Sequence, residues 1–260
     1  MVDSQIVWQP VEQGGGRVVQ DGERIRLARP AVQRSTYANA EIGDRTFVLT
    51  RRPPLQLRLR ARFSHPAAAI RGTAGFGFWN ASLSPGQVRP RLPRTAWYFF
   101  SAPPHDVPLA VGVPGSGPKA AVLDAGRPPF LALAPFALPG FAAMRVPALY
   151  SRLWPFAQWA IGVDEVSLDE IDLTDWHDYS LDWAVERATF RVDGALVMST
   201  MRSPAGPLAF VAWFDNAFAV ADPRGRFALG TVEAPEEQWL DIEQLQITGQ
   251  LRAARRIADG

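Results

Sequence analysis

The chain contains no cysteine, so disulfides and thiolate metal sites are excluded and cysteine usage leaves the redox compartment open. Lysine is nearly absent too: Lys119 stands alone, and every other basic residue is arginine. We read that as a genomic or thermal bias; arginine in place of lysine is not by itself a reliable heat signature. Histidine is scarce, with three residues, so a site built on several imidazoles is not available. No large excess of charge of either sign exists; the formal net charge is +1, which gives no reason to expect nucleic acid or an anionic membrane as the main partner. A membrane-spanning segment is lacking as well, because the apolar stretch from Pro103 to Val163 is broken by prolines. Met1 to Pro10 holds Asp3 and shows no basic region followed by an apolar one. No secretory leader is read there, and a cytoplasmic location is expected if the chain is complete.

What is present is β-type patterning. Leu55, Leu57, Leu59, Ala61 and Phe63 alternate with Gln56, Arg58, Arg60 and Arg62, the pattern of a strand with one buried face. Asp21-Gly22 separates Val18-Val19 from Arg24–Leu27, which predicts a hairpin. Further strands are expected at Tyr37–Ile42, Gly72–Asn80, Thr95–Ser101, Leu208–Asn216 and Trp239–Thr248. Gly75 and Gly77 inside the second of these segments permit close approach of a backbone or ligand. No internal repeat is evident, and the irregular spacing of strands favours a sandwich over a propeller. At 260 residues the chain is long enough for a single large sandwich with its own core.

The segment Trp176–Gly194 is the most specific. It reads Trp176-His177-x-Tyr179, then Trp183, then Val192-Asp193-Gly194, with aromatic and apolar residues alternating with polar ones up to an Asp-Gly turn. This run resembles the antiparallel pair of laminarinase-like enzymes, the family 16 glycoside hydrolases of the concanavalin A-like superfamily. Weaker likenesses follow in the family's order, at Tyr37–Ile42, Leu57–Arg62, Gly75–Asn80 and Asp241–Ile247. The resemblance implies an all-β fold, a concanavalin A-like antiparallel β-sandwich of jelly-roll type, spanning residues 1–260 as one domain. The stretch 103–163, rich in Ala, Pro, Leu and Phe and without charged side chains from Pro128 to Ala143, is expected as a long apolar insertion lying across one face. Within it, Met144–Ala160 predicts a short helix broken near Pro155.

The resemblance also implies a cleft that holds carbohydrate. In the family, two carboxyl groups sit on one strand as E-x-D-x-E, after the strand that ends in Phe-Trp. Retaining hydrolysis needs two carboxyls about 5–5.5 Å apart. The corresponding segment here, Thr95–Ala102, has no carboxylate. Glu170-Ile171-Asp172 matches half of the motif by letter but lies directly before Trp176, too late in the chain. The acidic run Asp164, Glu165, Asp169, Glu170, Asp172 and Asp175 can alternatively hold calcium, although it lacks an EF-hand pattern; no other cofactor is expected, and no metal site is assigned.

Candidate ligand-binding residues are Trp97 and Tyr98, which point to opposite faces of their strand, Arg60 from the arginine stripe, and Trp213, Asp215 and Asn216 in Phe-Val-Ala-Trp-Phe-Asp-Asn. Tyr98, His105 and Asp106 are the candidates for any catalysis. Each has a structural alternative: a core ring, a solvated sheet face, or an Asp-Asn turn at a strand end. His177 reads as part of the hairpin and His65 as a turn residue. The first functional expectation is therefore a hydrolase-like sandwich that binds carbohydrate without the two-acid strand. A second is an apolar small molecule in a remodelled groove. A third is an interaction protein that docks through the apolar insertion, onto a second copy as a homodimer or onto a membrane interface.

Overall fold

The computed structural model describes residues 8–44, 51–80, 92–222 and 226–249; most of the stretch read for a leader lies outside them. The first half of the chain supplies β1 (Gln9–Gln13), β2 (Arg17–Asp21), β3 (Arg24–Arg29), β4 (Asn39–Gly43), β5 (Leu55–Phe63), β6 (Thr73–Trp79), β7 (Arg94–Ser101) and β8 (Lys119–Asp124). Three helices follow, α1 (Pro128–Leu133), α2 (Ala137–Met144) and α3 (Pro147–Ile161). The chain then returns to strands: β9 (Asp164–Ser167), β10 (His177–Trp183), β11 (Ala188–Val192), β12 (Ala195–Thr200), β13 (Ala209–Asp215), β14 (Ala217–Ala221), β15 (Phe227–Thr231) and β16 (Gln238–Gly249).

Two seven-stranded antiparallel sheets form a jelly-roll sandwich. The front sheet has the order β1-β4-β13-β6-β7-β8-β9 and the back sheet β12-β11-β10-β5-β16-β3-β2. Alternation decides which side chains meet between them. β6 sends Phe76 and Phe78 inward, β7 sends Tyr98 and Phe100, and β10 answers with Tyr179 and Trp183. The rings pack edge to face or tilted: Phe76 lies 5.0 Å from Tyr179, Phe78 5.1 Å from Trp183 and Phe63 4.5 Å from Phe100. Leu55, Leu57, Leu59, Ala61 and Phe63 fill the same layer from β5.

The Trp176–Gly194 segment pairs as the sequence suggests. β10 and β11 are antiparallel neighbours, and Asp193 and Gly194, with φ of 50° and 77°, make the tight turn into β12. The expected hairpin of β2 and β3 is also present. Two expectations need correction. The stretch 103–163 is not one insertion, because its middle forms β8, an interior strand of the front sheet between β7 and β9. Nor is the helix broken at Pro155: α3 runs through it. The carbonyl that Pro155 leaves without an amide partner belongs to Ser151, an exposed residue where solvent can supply the missing donor.

Tyr98 crosses the core. It is fully buried, and its hydroxyl lies 2.8 Å from the carbonyls of both Ser180 and Arg191, paired residues of β10 and β11. One proton serves two acceptors, and the bond ties one sheet to the other. Its position corrects the ligand and catalytic expectations for Tyr98: the side chain faces the core, not a groove. Tyr98→Phe is expected to cost about 1–3 kcal/mol in denaturant unfolding while leaving the outer face of the front sheet unchanged. An unchanged unfolding free energy would show that the hydroxyl contributes nothing to joining the sheets.

Candidate functional site

The outer face of the front sheet carries a groove of about 490 Å³. Its floor begins with a register row that runs from Asn39 through Asp215 and Thr73 to Ser101. The next row sets Glu41 beside Trp213, then Gly75, then Phe99, and the next sets Val211 beside Gly77 and Trp97. Gly75 is required by an indole, and Gly77 by the close approach of β7, whose Ala96 carbonyl oxygen would lie 2.5 Å from a β-carbon there. A β-carbon at Gly75 would lie 2.5 Å from Cη2 of Trp213, and one at Gly77 would lie 2.7 Å from Cβ of Trp97. β6 is therefore bare in the middle of its groove side, between Thr73 and Trp79, and the neighbouring rings fold across it.

The result is a continuous aromatic platform. Trp97 lies 5.2 Å from Trp213, 5.4 Å from Phe99 and 5.7 Å from Trp79 between ring centroids. Trp213 is anchored by its indole N–H, which donates to the Thr73 hydroxyl at 3.0 Å. Tyr37, Phe218 and Leu229 rise at the edge, the last two from the β14–β15 ribbon.

Two carboxyl groups share this floor. Asp215 accepts from the Thr73 hydroxyl (2.8 Å) and amide (3.2 Å), from the Ala217 amide (3.0 Å) and from the Tyr37 hydroxyl (3.4 Å). Burial nevertheless holds its pKa above the usual carboxylate range, since these bonds only partly offset desolvation. Glu41 sits diagonally across the β4–β13 register. Burial pushes it up to about 7; the Asn39 amide, donating at 3.1 Å, opposes the rise and the charge of Asp215 adds to it. The buried Oδ1 of Asn39 has no hydrogen-bond partner among the described residues.

His105 closes one side, 5.2 Å from the ring of Phe99. Its Nδ1 accepts from the Ala219 amide at 3.3 Å, and burial, reinforced by Lys119, lowers its pKa to about 4. The ring is neutral at pH 7 and carries its proton on Nε2. Asp106 turns the other way. It pairs with Arg226 at 2.7 Å and lines a separate cavity of about 450 Å³ beside Tyr150. The two do not form a polar couple at one rim, because successive residues point in opposite directions.

Of the ligand-binding residues named from sequence, Trp97, Trp213 and Asp215 line the groove and the others do not. Asn216 is fully buried, donating to the carbonyls of Thr36 and Val232 and accepting from the Ala38 amide, so it fixes the strand end. Arg60 projects from the back sheet, paired with Asp178 at 3.1 Å and lying over Trp176. The acidic run is likewise dispersed. Glu165 takes Lys119 and the amides of Leu109 and Ala110, Asp169 accepts from Ser167, and Asp172 accepts from Thr174. Among the described residues no three His, Asp or Glu side chains converge to hold a metal ion. Glu170 and Asp172 lie on the exposed loop before β10, outside the groove lining. His177 pairs with Asp193 at 2.6 Å, and His65 with Ser64 and Glu236.

Glu41 and Asn39 were not among the residues picked from sequence, yet a signal for them existed. In Tyr37–Ile42, Ala38, Ala40 and Ile42 alternate with Tyr37, Asn39 and Glu41, which puts the latter three on one face.

No family model matches the sequence, and no curated protein matches it. Solved structures do. One comes from the endo-acting O-glycanases that human gut microbiota express to initiate mucin breakdown (TM-score 0.51, 11% identity, covering 96% of this chain and 94% of that one). Another is a Bacillus licheniformis β-glucanase (0.50, 12%, 95% and 94%). A third is the exoplasmic/lumenal domain of VIP36 in a Ca2+/Man3GlcNAc-bound form (0.50, 11%, 98% and 90%). At such identities the likeness speaks to fold. The chain has the concanavalin A-like sandwich fold shared by glucanases and lectins.

The Glu41 environment generates a pH prediction. Its native pKa, about 7, lies above the ordinary 4.5. The native state therefore holds a proton that the unfolded chain has released between those values, and stability falls as pH rises through that window. About 2 kcal/mol of such loss between pH 5 and 8 is expected to disappear in Glu41→Gln. Denaturant unfolding at the two pH values checks this, and parallel pH dependence of the two proteins would contradict it.

Proposed function

We propose that the groove binds a carbohydrate chain, with sugar rings laid on the Trp97–Trp213 platform. The observation that carries this reading is the pairing of an indole platform, partly exposed at Trp97 and buried at Trp213, with groups able to exchange hydrogen bonds along the same groove: Asn39, Glu41, Thr73 and Asp215. A pyranose presents apolar C–H faces and a polar rim of hydroxyls, so it needs both kinds of surface. The orphaned Asn39 Oδ1 suits a hydroxyl donor. The fold shared with glucanases and a glycan-bound lectin domain supports the same reading.

The strand that carries the acids in laminarinase-like enzymes corresponds to β7, whose groove-facing residues here are Thr95, Trp97, Phe99 and Ser101. On that strand binding replaces acid chemistry. Glu41 and Asp215 favour a second reading, hydrolysis by a carboxyl pair on β4 and β13. The backbones of diagonal neighbours across an antiparallel pair lie about 7–8 Å apart, from which two side chains can reach the carboxyl separations of about 6.5–9.5 Å that inverting glycosidases use. Glu41, protonated near neutrality, would be the acid.

A thermal-shift and calorimetric panel of β-glucan, mucin-type and mannose-rich oligosaccharides tests both. Binding predicts saturable stabilisation by at least one class, weakened about 10-fold or more by Trp97→Ala or Trp213→Ala and untouched by Arg60→Ala. No response to any glycan, with hits from hydrophobic ligands, would transfer the groove to an apolar small molecule. If a bound glycan is also cleaved, Glu41→Gln is expected to abolish cleavage and keep binding; cleavage that survives it excludes the second reading.

A further inference from the structure

The helix α3 is apolar on both of its long sides. One side seats it on the protein: Tyr150 stacks on Trp154 at 6.0 Å, and the Trp154 indole N–H donates to the Leu109 carbonyl at 2.9 Å. The other side displays Leu149, Leu153 and Phe156, spaced i, i+4 and i+7, with Trp159 stacked on Phe156 at 5.7 Å. All four are exposed. At the start of α2, which packs on α3, Phe136 and Leu138 are 65% and 84% exposed. A helix with apolar residues on two opposite sides needs apolar cover on both, and an uncovered patch of this kind marks an interaction surface.

The charges around the patch choose the partner. From Pro128 to Val163 there is no aspartate or glutamate; the charged side chains are Arg145 and Arg152, both exposed. Arg127 borders the patch, its guanidinium 5.9 Å from the Trp159 ring and donating to the Trp159 carbonyl at 2.7 Å. A second copy related by a two-fold axis would bring this face against itself, where Arg127 and Arg152 find no carboxylate on the partner's segment from Pro128 to Val163, although Asp106 and Asp222 line the cavity that Arg145 also lines. An anionic bilayer meets every element at once. Leucine and phenylalanine enter the acyl boundary, tryptophan takes the interfacial zone, and arginine stems reach the lipid phosphates.

We propose that the α1–α3 face docks the protein onto anionic phospholipid membranes. The protein lies on the bilayer rather than across it: α3 has 15 residues, and a spanning helix needs about 20.

Vesicle co-sedimentation of the full chain tests this, with phosphatidylcholine vesicles compared against the same vesicles doped with phosphatidylglycerol. Binding is expected to the doped vesicles, at least ~10-fold weaker to the undoped ones, and to decline with added salt. The double variant Leu138→Glu/Phe156→Glu changes exposed side chains only, and circular dichroism checks that its fold persists. It is expected to lose binding about 10-fold or more, and Arg145→Gln/Arg152→Gln roughly 10-fold. Failure of the wild type to bind doped vesicles, or full binding by the folded glutamate variant, overturns the proposal. So does a dimer in sedimentation velocity that the glutamate variant dissociates, which would assign the face to a second copy. None of these readouts involves the groove, so the two proposals stand or fall separately.

Discussion

The groove depends on one strand having no side chains where its neighbours need room. β6 reads Thr-Ala-Gly-Phe-Gly-Phe-Trp. Its core-facing Phe76 and Phe78 fill the space between the sheets, while its groove-facing Gly75 and Gly77 leave the middle of the other side bare. Glycine weakens a strand interior because it has nothing to pack and more freedom to lose. Here that cost is offset from both sides: two phenylalanines anchor the strand in the core, and the indoles of Trp213 and Trp97 cover the bare backbone from above. The same alternation that builds the core thereby builds the platform.

The groove and the back sheet use charge in opposite ways. On the back sheet, carboxylates are neutralised by arginine: Asp241 is fully buried between Arg26 and Arg62, and Asp178 meets Arg60. The aromatic rings there, Trp176 and Trp239, lie under guanidinium groups. On the front sheet, Glu41 and Asp215 form no ion pair among the described residues and are held by neutral donors instead. Burial without a cation favours the protonated carboxyl, which can donate as well as accept. The back face thus holds Asp241 and Asp178 in ion pairs, whereas the groove keeps hydrogen-bonding capacity unspent at the Asn39 Oδ1.

Much of the fold was legible because alternation is a strong signal in strands with one buried face. Leu55–Phe63 and Trp176–Gly194 show it plainly, and β5, β10 and β11 follow. β8 was hidden because Lys-Ala-Ala-Val-Leu-Asp is mostly small or apolar throughout, as suits an interior strand covered on both faces. The site was half legible. Trp97, Trp213 and Asp215 stand out as aromatic or acidic residues on alternating strands. Which face of a strand turns outward depends on its partners, and that misplaced Tyr98 and Arg60: each belongs to a well-read strand but points away from the groove. Glu41 was not legible because nothing local marks a lone glutamate as buried.

The account rests on the indole platform being the surface that a sugar chain meets. A crystal structure of the protein soaked with a β-glucan or mucin-type oligosaccharide that stabilises it would test this most directly. The account predicts a sugar ring in van der Waals contact with Trp97 or Trp213 and a hydroxyl within hydrogen-bond reach of Glu41, Asn39 or Asp215. Sugar density on the arginine face of the back sheet, with the groove empty, would contradict it.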